Sequence, residues 1–313
     1  MSDDHGTVYV AGHRGLVGSA ITRALDGRGR RWIGRTRAEL DLTDRPSVMD
    51  FVTSEKPESM IIAAAKVGGI AANDRYPVEF LAENLMIQTN LIDAAHTAGV
   101  ERVLFLGSSC IYPKFAPQPI HEDSLLTGPL EPTNDAYAIA KIAGIRLIDA
   151  YRSQYGRRWI SAMPTNLYGP GDNFDLETSH VLPALLHRFH DAVQTGAPSV
   201  TLWGDGSALR EFLHVDDMAA AMLFLMDGYD EPGPINVGFG EDVTIRELAE
   251  LVAAVAGFEG QVHWDASKPN GTPRKILDSG RLRALGWTPK VDLADGVRDT
   301  YDWYLRSLAT EPS

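Results

Sequence analysis

Apolar positions along the first half of the chain fall into two alternating patterns. Short unbroken runs occur at Thr7–Ala11, Met60–Ala65, Val103–Leu106 and Trp159–Met163. Four to six apolar residues without polar alternation predict strands buried on both faces, as a parallel sheet requires. Between these runs apolar residues recur at helical spacing, over residues 16–27, Pro77–Ala98 and Tyr137–Tyr155. Phe80, Leu81, Leu85, Leu91 and Ile92 carry the period in the second of these. Strand and helix in alternation predict an α/β fold of the Rossmann type, a doubly wound parallel sheet with right-handed crossovers. After Tyr168-Gly169-Pro170-Gly171 the pattern loosens into helices over 181–193, 216–226, 244–256 and 296–308 and short strands over 200–203 and 235–237. The expectation is a first domain over 1–168, with segments near 211–240 returning to it, and a smaller C-terminal α/β domain over 169–313.

The first strand runs into Gly12-His13-Arg14-Gly15-Leu16-Val17-Gly18, which opens the first helix. Glycines there let the turn be tight and let backbone N–H groups meet a pyrophosphate at the positive helix end. A tight turn needs glycine in any case, so position between strand and helix carries the dinucleotide reading. The second strand is followed by Gly34-Arg35-Thr36-Arg37. NAD sites place an acid at this point for the ribose 2′-hydroxyl, whereas a 2′-phosphate needs cations. A solvated loop would also hold arginines, but two of them where an acid belongs favour NADP.

Tyr137 and Lys141 stand one helical turn apart on one face. A nearby ammonium would lower the phenol from its ordinary value and suit it to proton exchange. Tyrosine and lysine at this spacing are common on ordinary helices. The pair gains meaning from Ser108, at the end of the strand before it, because ligands bind at the carboxyl edge of such a sheet. Serine to hydrogen-bond a carbonyl, tyrosine to supply a proton and lysine to hold a ribose form the Ser-Tyr-Lys arrangement of short-chain dehydrogenases.

Composition narrows the partners. The 313 residues carry a formal net charge of −13, which argues against nucleic acid or an anionic membrane. No run approaches a membrane span, and the acidic start Met1-Ser2-Asp3-Asp4-His5 lacks the pattern of a signal peptide. The single cysteine, Cys110, allows no intrachain disulfide. These features suit a cytoplasmic location. No metal is expected.

The blocks GHRGLVG (12–18), AAAKVGGI (63–70), GSSCIYPK (107–114), EPTNDAYAIAKIAG (131–144), PTNLYGPGDNF (164–174), REFLHVDD (210–217) and ASKPNGTPRK (266–275) together resemble the GDP-L-fucose synthase family of extended short-chain dehydrogenases/reductases. The resemblance spans nearly the whole chain. It implies a homodimer that epimerises GDP-4-keto-6-deoxy-D-mannose at C3 and C5 and reduces C4 with NADPH. By carry-over it assigns Cys110 and His180 as the epimerising pair beside Ser108, Tyr137 and Lys141. A lone cysteine is ordinarily an inert buried thiol, and it serves as a base only if positive charge lowers its pKa. The resemblance places NADP against Gly12–Gly18, Arg37, Asp41, Leu42, Ala64, Ala65, Lys141, Pro164, Thr165, Asn166, Leu167 and His180. It places the GDP-sugar against Arg188, Trp203, Arg210 and Asn270, the last where the family usually has an acid. A 4,6-dehydratase would carry an Asp-Glu pair after Ser108, where this chain has Ser109 and Cys110. A 5-epimerase/reductase acting on a dideoxy keto-sugar, and a non-catalytic NADPH-binding regulator, remain as alternatives.

Overall fold

A computed structural model of the chain describes residues 6–176, 178–268 and 270–310. Its first strand, Val8–Ala11 (β1), explains why the apolar runs are unbroken. Val8 and Val10 pack on one side of the sheet with Ile21, Leu25, Met218 and Met222. Tyr9 and Ala11 pack on the other with Val48, Val52, Leu91 and Ile92. Both faces are therefore core, and a polar residue on either would lose its water.

The chain continues through Leu16–Gly27 (α1), Trp32–Ile33 (β2), Arg45–Glu55 (α2), Ser59–Ile62 (β3), Ile70–Arg75 (α3) and Pro77–Ala98 (α4). Arg102–Leu106 (β4), Asp135–Tyr155 (α5), Ile160–Pro164 (β5) and Asn166–Tyr168 (β6) complete the first half. Then come Val181–Thr195 (α6), Ser199–Trp203 (β7), Leu209–His214 (β8), Val215–Gly228 (α7) and Pro234–Val237 (β9). Asp242–Thr244 (β10), Ile245–Ala256 (α8), Gln261–Asp265 (β11), Arg274–Lys275 (β12), Gly280–Ala284 (α9) and Leu293–Thr310 (α10) finish it.

Six strands form one parallel sheet in the order β2-β1-β3-β4-β5-β9. The chain leaves β1 toward β2 and then returns past it to β3. That reversal opens a crevice at the carboxyl ends of β1 and β3, where ligands of such sheets bind. Helices α1 and α7 cover one face, and α2, α4 and α5 the other. The fold is thus the doubly wound α/β arrangement that the strand-helix alternation predicts.

A second layer lies over the carboxyl edge. There β8 pairs with β6, β10 and β12, while β7 pairs with β11. Helices α6, α8 and α10 pack against these strands around Leu186, Phe189, Leu248 and Val252. Helix α8 begins with a capping box, Thr244 and Glu247 each accepting from the other's backbone N–H. Within 211–240 the chain first runs β8 through the smaller sheet. It then rejoins the larger one through α7, which packs on α1, and β9, which lies beside β5. Among the described residues no helix is long and apolar enough to cross a membrane.

Candidate active site

At the crevice, Gly12 has φ +87°, and a Cβ there would lie 2.7 Å from the backbone nitrogen of Ala64. A Cβ on Gly18 would lie 2.0 Å from the Gly12 carbonyl oxygen, so α1 seats directly on the turn because both residues are glycine. Gly15 caps α1 without any side-chain hydrogen bond, and the first turn contains no acid. Its N–H groups are left for an anion at the positive helix end.

A cavity of about 440 Å³ runs from this turn, lined by Gly12, His13, Arg14, Gly15, Arg35, Thr36, Arg37 and Ala38. Arg14 and Arg37 are exposed at its rim. Arg35 behaves differently from the sequence expectation, because its guanidinium pairs with Glu55 at 2.9 Å and lies 4.8 Å over the Phe51 ring. Arg37 and Arg14 are thus the arginines left exposed at the rim. His13 lies beside Trp32, and a Cβ on Gly34 would strike its ring at 2.5 Å. Partial burial and the Arg14 charge lower the His13 pKa, and its buried Nδ1 has no hydrogen-bond partner among the described residues. Asp41 holds Thr43 through the backbone N–H at 2.9 Å and the hydroxyl at 2.8 Å, and the Leu42 carbonyl accepts from Asn90. Ala64 and Ala65 follow β3, with Ala64 against Gly12. A capless helix end, glycines that admit no side chain and two rim arginines fit a dinucleotide carrying an extra phosphate.

Ser108 follows β4 and caps a short 3-10 turn, Ser109–Ile111, by accepting from the Cys110 N–H at 3.4 Å. The Tyr137 phenol and the Cys110 thiol lie near its hydroxyl. Lys141, on the same helix, donates to the Leu106 carbonyl at 2.7 Å, and its ammonium sits 4.9 Å from the Phe105 ring and 5.8 Å from that of Tyr137. Ser108, Cys110, Tyr137 and Lys141 therefore meet at the carboxyl end of β4. Burial and the neighbouring Cys110 push the Tyr137 phenol up, not down as the Tyr-Lys spacing suggests. The ammonium is spent on Leu106, and desolvation outweighs its field. A phenol held protonated is the form that donates a proton. Burial likewise lowers Lys141 to about 8. It raises the Cys110 thiol, against the pull of Lys275 and then of Ser108 and Lys141.

His180 is the N-cap residue of α6. Partial desolvation and the Lys275 ammonium lower its pKa, although the side chain is exposed to solvent. Pro164, Thr165, Asn166 and Leu167 pass from β5 into β6, anchored by Thr165 N–H to the Val237 carbonyl at 3.0 Å and Asn166 Nδ2 to the Glu211 carbonyl at 2.8 Å. Arg188 lies half-buried on α6, and Trp203 ends β7 with 65% of its surface exposed. Arg210 lies on β8, where burial lowers its pKa and one guanidinium nitrogen donates to the Leu209 carbonyl at 2.7 Å. The Asn270 side-chain oxygen accepts from the Asp205 N–H at 2.8 Å, which ties that residue to the turn after β7.

Two residues escaped the sequence reading. Glu211, fully buried on β8, accepts from Gly240 N–H at 2.7 Å and Leu277 N–H at 3.0 Å, so it binds three segments around the site. Lys275 lies on β12 near both Cys110 and His180.

The sequence pattern of the NAD dependent epimerase/dehydratase family matches residues 8–238. GDP-L-fucose synthase 1 of Arabidopsis thaliana is 60% identical over 98% of this chain and 96% of that protein. GDP-L-fucose synthase of Escherichia coli (strain K12) is 55% identical over 96% of this chain and 97% of its own. The chain belongs to the GDP-L-fucose synthase family. A GDP-L-fucose synthetase from Naegleria fowleri, solved bound to NADP, superposes with a TM-score of 0.91 at 28% identity, covering 100% of this chain and 98% of that one. The likeness thus extends over the whole fold, the crevice included.

Proposed function

We propose that the chain is an NADPH-dependent enzyme that converts GDP-4-keto-6-deoxy-D-mannose to GDP-L-fucose by epimerisation at C3 and C5 followed by reduction at C4. The observation that carries this reading is the meeting of Ser108, Tyr137, Lys141 and Cys110 at the end of β4. NADPH, when bound, supplies the hydride for the C4 carbonyl. Gly12, Gly15 and Gly18 seat its pyrophosphate on α1, and Arg37 with Arg14 holds the 2′-phosphate. Asp41, Leu42, Ala64 and Ala65 border the adenosine half, and Pro164–Leu167 and His180 the nicotinamide half. Lys141 holds the ribose.

Ser108 and Tyr137 hydrogen-bond the C4 oxygen of the sugar. Their donation makes the flanking C–H groups acidic enough for Cys110 to remove a proton, and His180 returns one to the other face. Once the configuration has changed, Tyr137 delivers its proton to the C4 oxygen. Arg188 and Arg210 pair with the diphosphate, for which guanidinium forks are suited, while Trp203 and Asn270 border the nucleotide. This assigns the larger sheet to the cofactor and the smaller layer to the GDP-sugar.

Mixing the protein with NADPH and GDP-4-keto-6-deoxy-D-mannose should consume the nicotinamide absorbance and yield GDP-L-fucose. Binding of NADPH without turnover would favour a regulator. The exposed apolar residues Val78 and Met86 on α4, and Ile139 and Tyr155 on α5, support pairing of these helices between two copies. Light scattering at micromolar concentration should give twice the monomer mass, and a monomer would refute that pairing.

A further inference from the structure

Between β5 and β6 the chain crosses from the larger sheet into the second layer. Pro164 still stands in register with Val237 of β9, and Asn166 already stands in register with Phe212 of β8. Thr165, between them, donates its N–H to the Val237 carbonyl at 3.0 Å. Against this crossing lies Glu211, on β8 one residue after Arg210 and fully buried. Its carbonyl oxygen accepts from Asn166 Nδ2 at 2.8 Å and from the Thr165 hydroxyl at 3.4 Å. Its carboxylate accepts from Gly240 N–H at 2.7 Å through Oε1 and from Leu277 N–H at 3.0 Å through Oε2. The turn that leaves β9 wraps this carboxylate so closely that a Cβ on Gly238 would lie 2.4 Å from Oε1.

One residue thus ties together the exit of β9, the chain past β12 and the crossing from β5 to β6. Burying a carboxylate costs more than burying an apolar side chain that could pack the same space. What the ionised acceptor adds is direction, because charge-assisted bonds to N–H groups are short and strong. The segments it fixes border both ligands of the proposed reaction. Thr165 and Asn166 belong to the nicotinamide side, and Arg210, the neighbour of Glu211 on β8, to the diphosphate side. The joint therefore sets the placement of one ligand against the other more than the hold on either.

We propose that Glu211 is a positioning residue for the reduction, the joint that sets the GDP-sugar held by Arg210 against the segment bordering the nicotinamide. The inference rests on the reading of Arg210 and of residues 164–167 given above. The reduction itself keeps its balance: C4 gains a hydride, its oxygen gains the Tyr137 proton, and the nicotinamide is oxidised. Reacting atoms must stand about 3–3.5 Å apart for such a transfer, and a misplacement of about 1 Å costs on the order of a hundredfold in rate. Glu211 touches neither ligand and acts through the backbone it holds.

Glu211→Gln keeps one acceptor oxygen and turns an NH2 group toward the second backbone N–H, so one of the two carboxylate bonds is lost. In the cofactor-free protein, amide hydrogen exchange at Gly240, Leu277 and residues 165–167 should quicken. Kd for NADPH and Kd for GDP, each measured alone by calorimetry, should stay close to those of the unmodified protein. At saturation, kcat for the reduction per folded protein should fall on the order of a hundredfold. The isotope effect on kcat with NADPH deuterated at the transferred hydrogen should rise, because hydride transfer becomes the slow step. A purely structural role would lower the amount of folded protein and leave that isotope effect where it was. An unchanged kcat, or a fall in kcat with an unchanged isotope effect, overturns the proposal. If Glu211→Gln does not fold, Gly238→Ala displaces the intact carboxylate and carries the same comparison. If Arg210→Ala binds GDP like the unmodified protein, the proposal falls with its premise; if Arg210→Ala weakens GDP while Glu211→Gln keeps its kcat, the proposal falls alone.

Discussion

Replacing Arg37 by alanine separates the two arginines after β2. Arg37 is exposed at the rim of the 440 Å³ cavity, whereas Arg35 is held by Glu55 and the Phe51 ring. A hydrogen bond to a charged group contributes roughly 1.5–3 kcal/mol. Exposure and salt screening put Arg37 at the low end, so Arg37→Ala should weaken NADPH binding by about 1.5 kcal/mol, roughly tenfold in Kd. NADH lacks the 2′-phosphate and should bind as before. Arg35→Ala should lose its ion pair and its contact with the Phe51 ring, about 1–2 kcal/mol of stability, and leave the NADPH-to-NADH ratio close to that of the unmodified protein. The assay is fluorescence titration of each variant with both dinucleotides at two salt concentrations. The NADPH deficit of Arg37→Ala should shrink at high salt. Equal weakening of both cofactors, or a larger change in the ratio for Arg35→Ala, would refute the assignment.

Thermal melts should distinguish two glycines of α1. A methyl on Gly18 would sit 2.0 Å from the Gly12 carbonyl oxygen, so Gly18→Ala should cost about 1–3 kcal/mol, while Gly27→Ala, with nothing within 4 Å, should change stability by less than about 1 kcal/mol. Lys141→Met should stabilise the cofactor-free protein while abolishing reduction. Burial lowers the folded-state lysine to about 8, so the folded chain binds fewer protons than the unfolded one between that pH and the ordinary lysine value. The gain, on the order of 3 kcal/mol before the lost Leu106 bond, should be full below pH 8 and fade toward pH 10.5 in chemical denaturation. A gain that grows with pH would contradict the sign.

The parts of the fold legible from sequence are those whose burial is simple. Strands β1, β3, β4 and β5 are covered on both faces, so their residues are almost all apolar, the buried Ser161 in β5 being the interior exception. Strand β8 reads as LREFLH because it carries the site's own Arg210 and the buried Glu211, whose partners are backbone N–H groups far away in the chain. Strand β12 is two charged residues and gives no periodicity at all. Helix α2 buries only Val48 and Val52, too sparse a stripe to stand out. Ser108, Tyr137 and Lys141 were legible through spacing and Cys110 through family likeness. Their protonation was not, because the direction of each shift is set by burial that no motif records. Lys275 carries no signal in the sequence, because β12 is defined only by its pairing with β8.

The most direct measurement is solvent deuterium incorporation at C3 and C5 of GDP-4-keto-6-deoxy-D-mannose, followed by mass spectrometry without NADPH, in Cys110→Ser. Serine is nearly isosteric with cysteine but is far too weak an acid to exist as its conjugate base, so fold and NADPH binding should survive. The predicted result is loss of exchange at both carbons with the Ser108, Tyr137 and Lys141 set still able to reduce the unepimerised ketone slowly. Exchange at the unmodified rate would contradict Cys110 as the base and point to His180, and loss of exchange together with loss of NADPH binding would make the thiol a packing group.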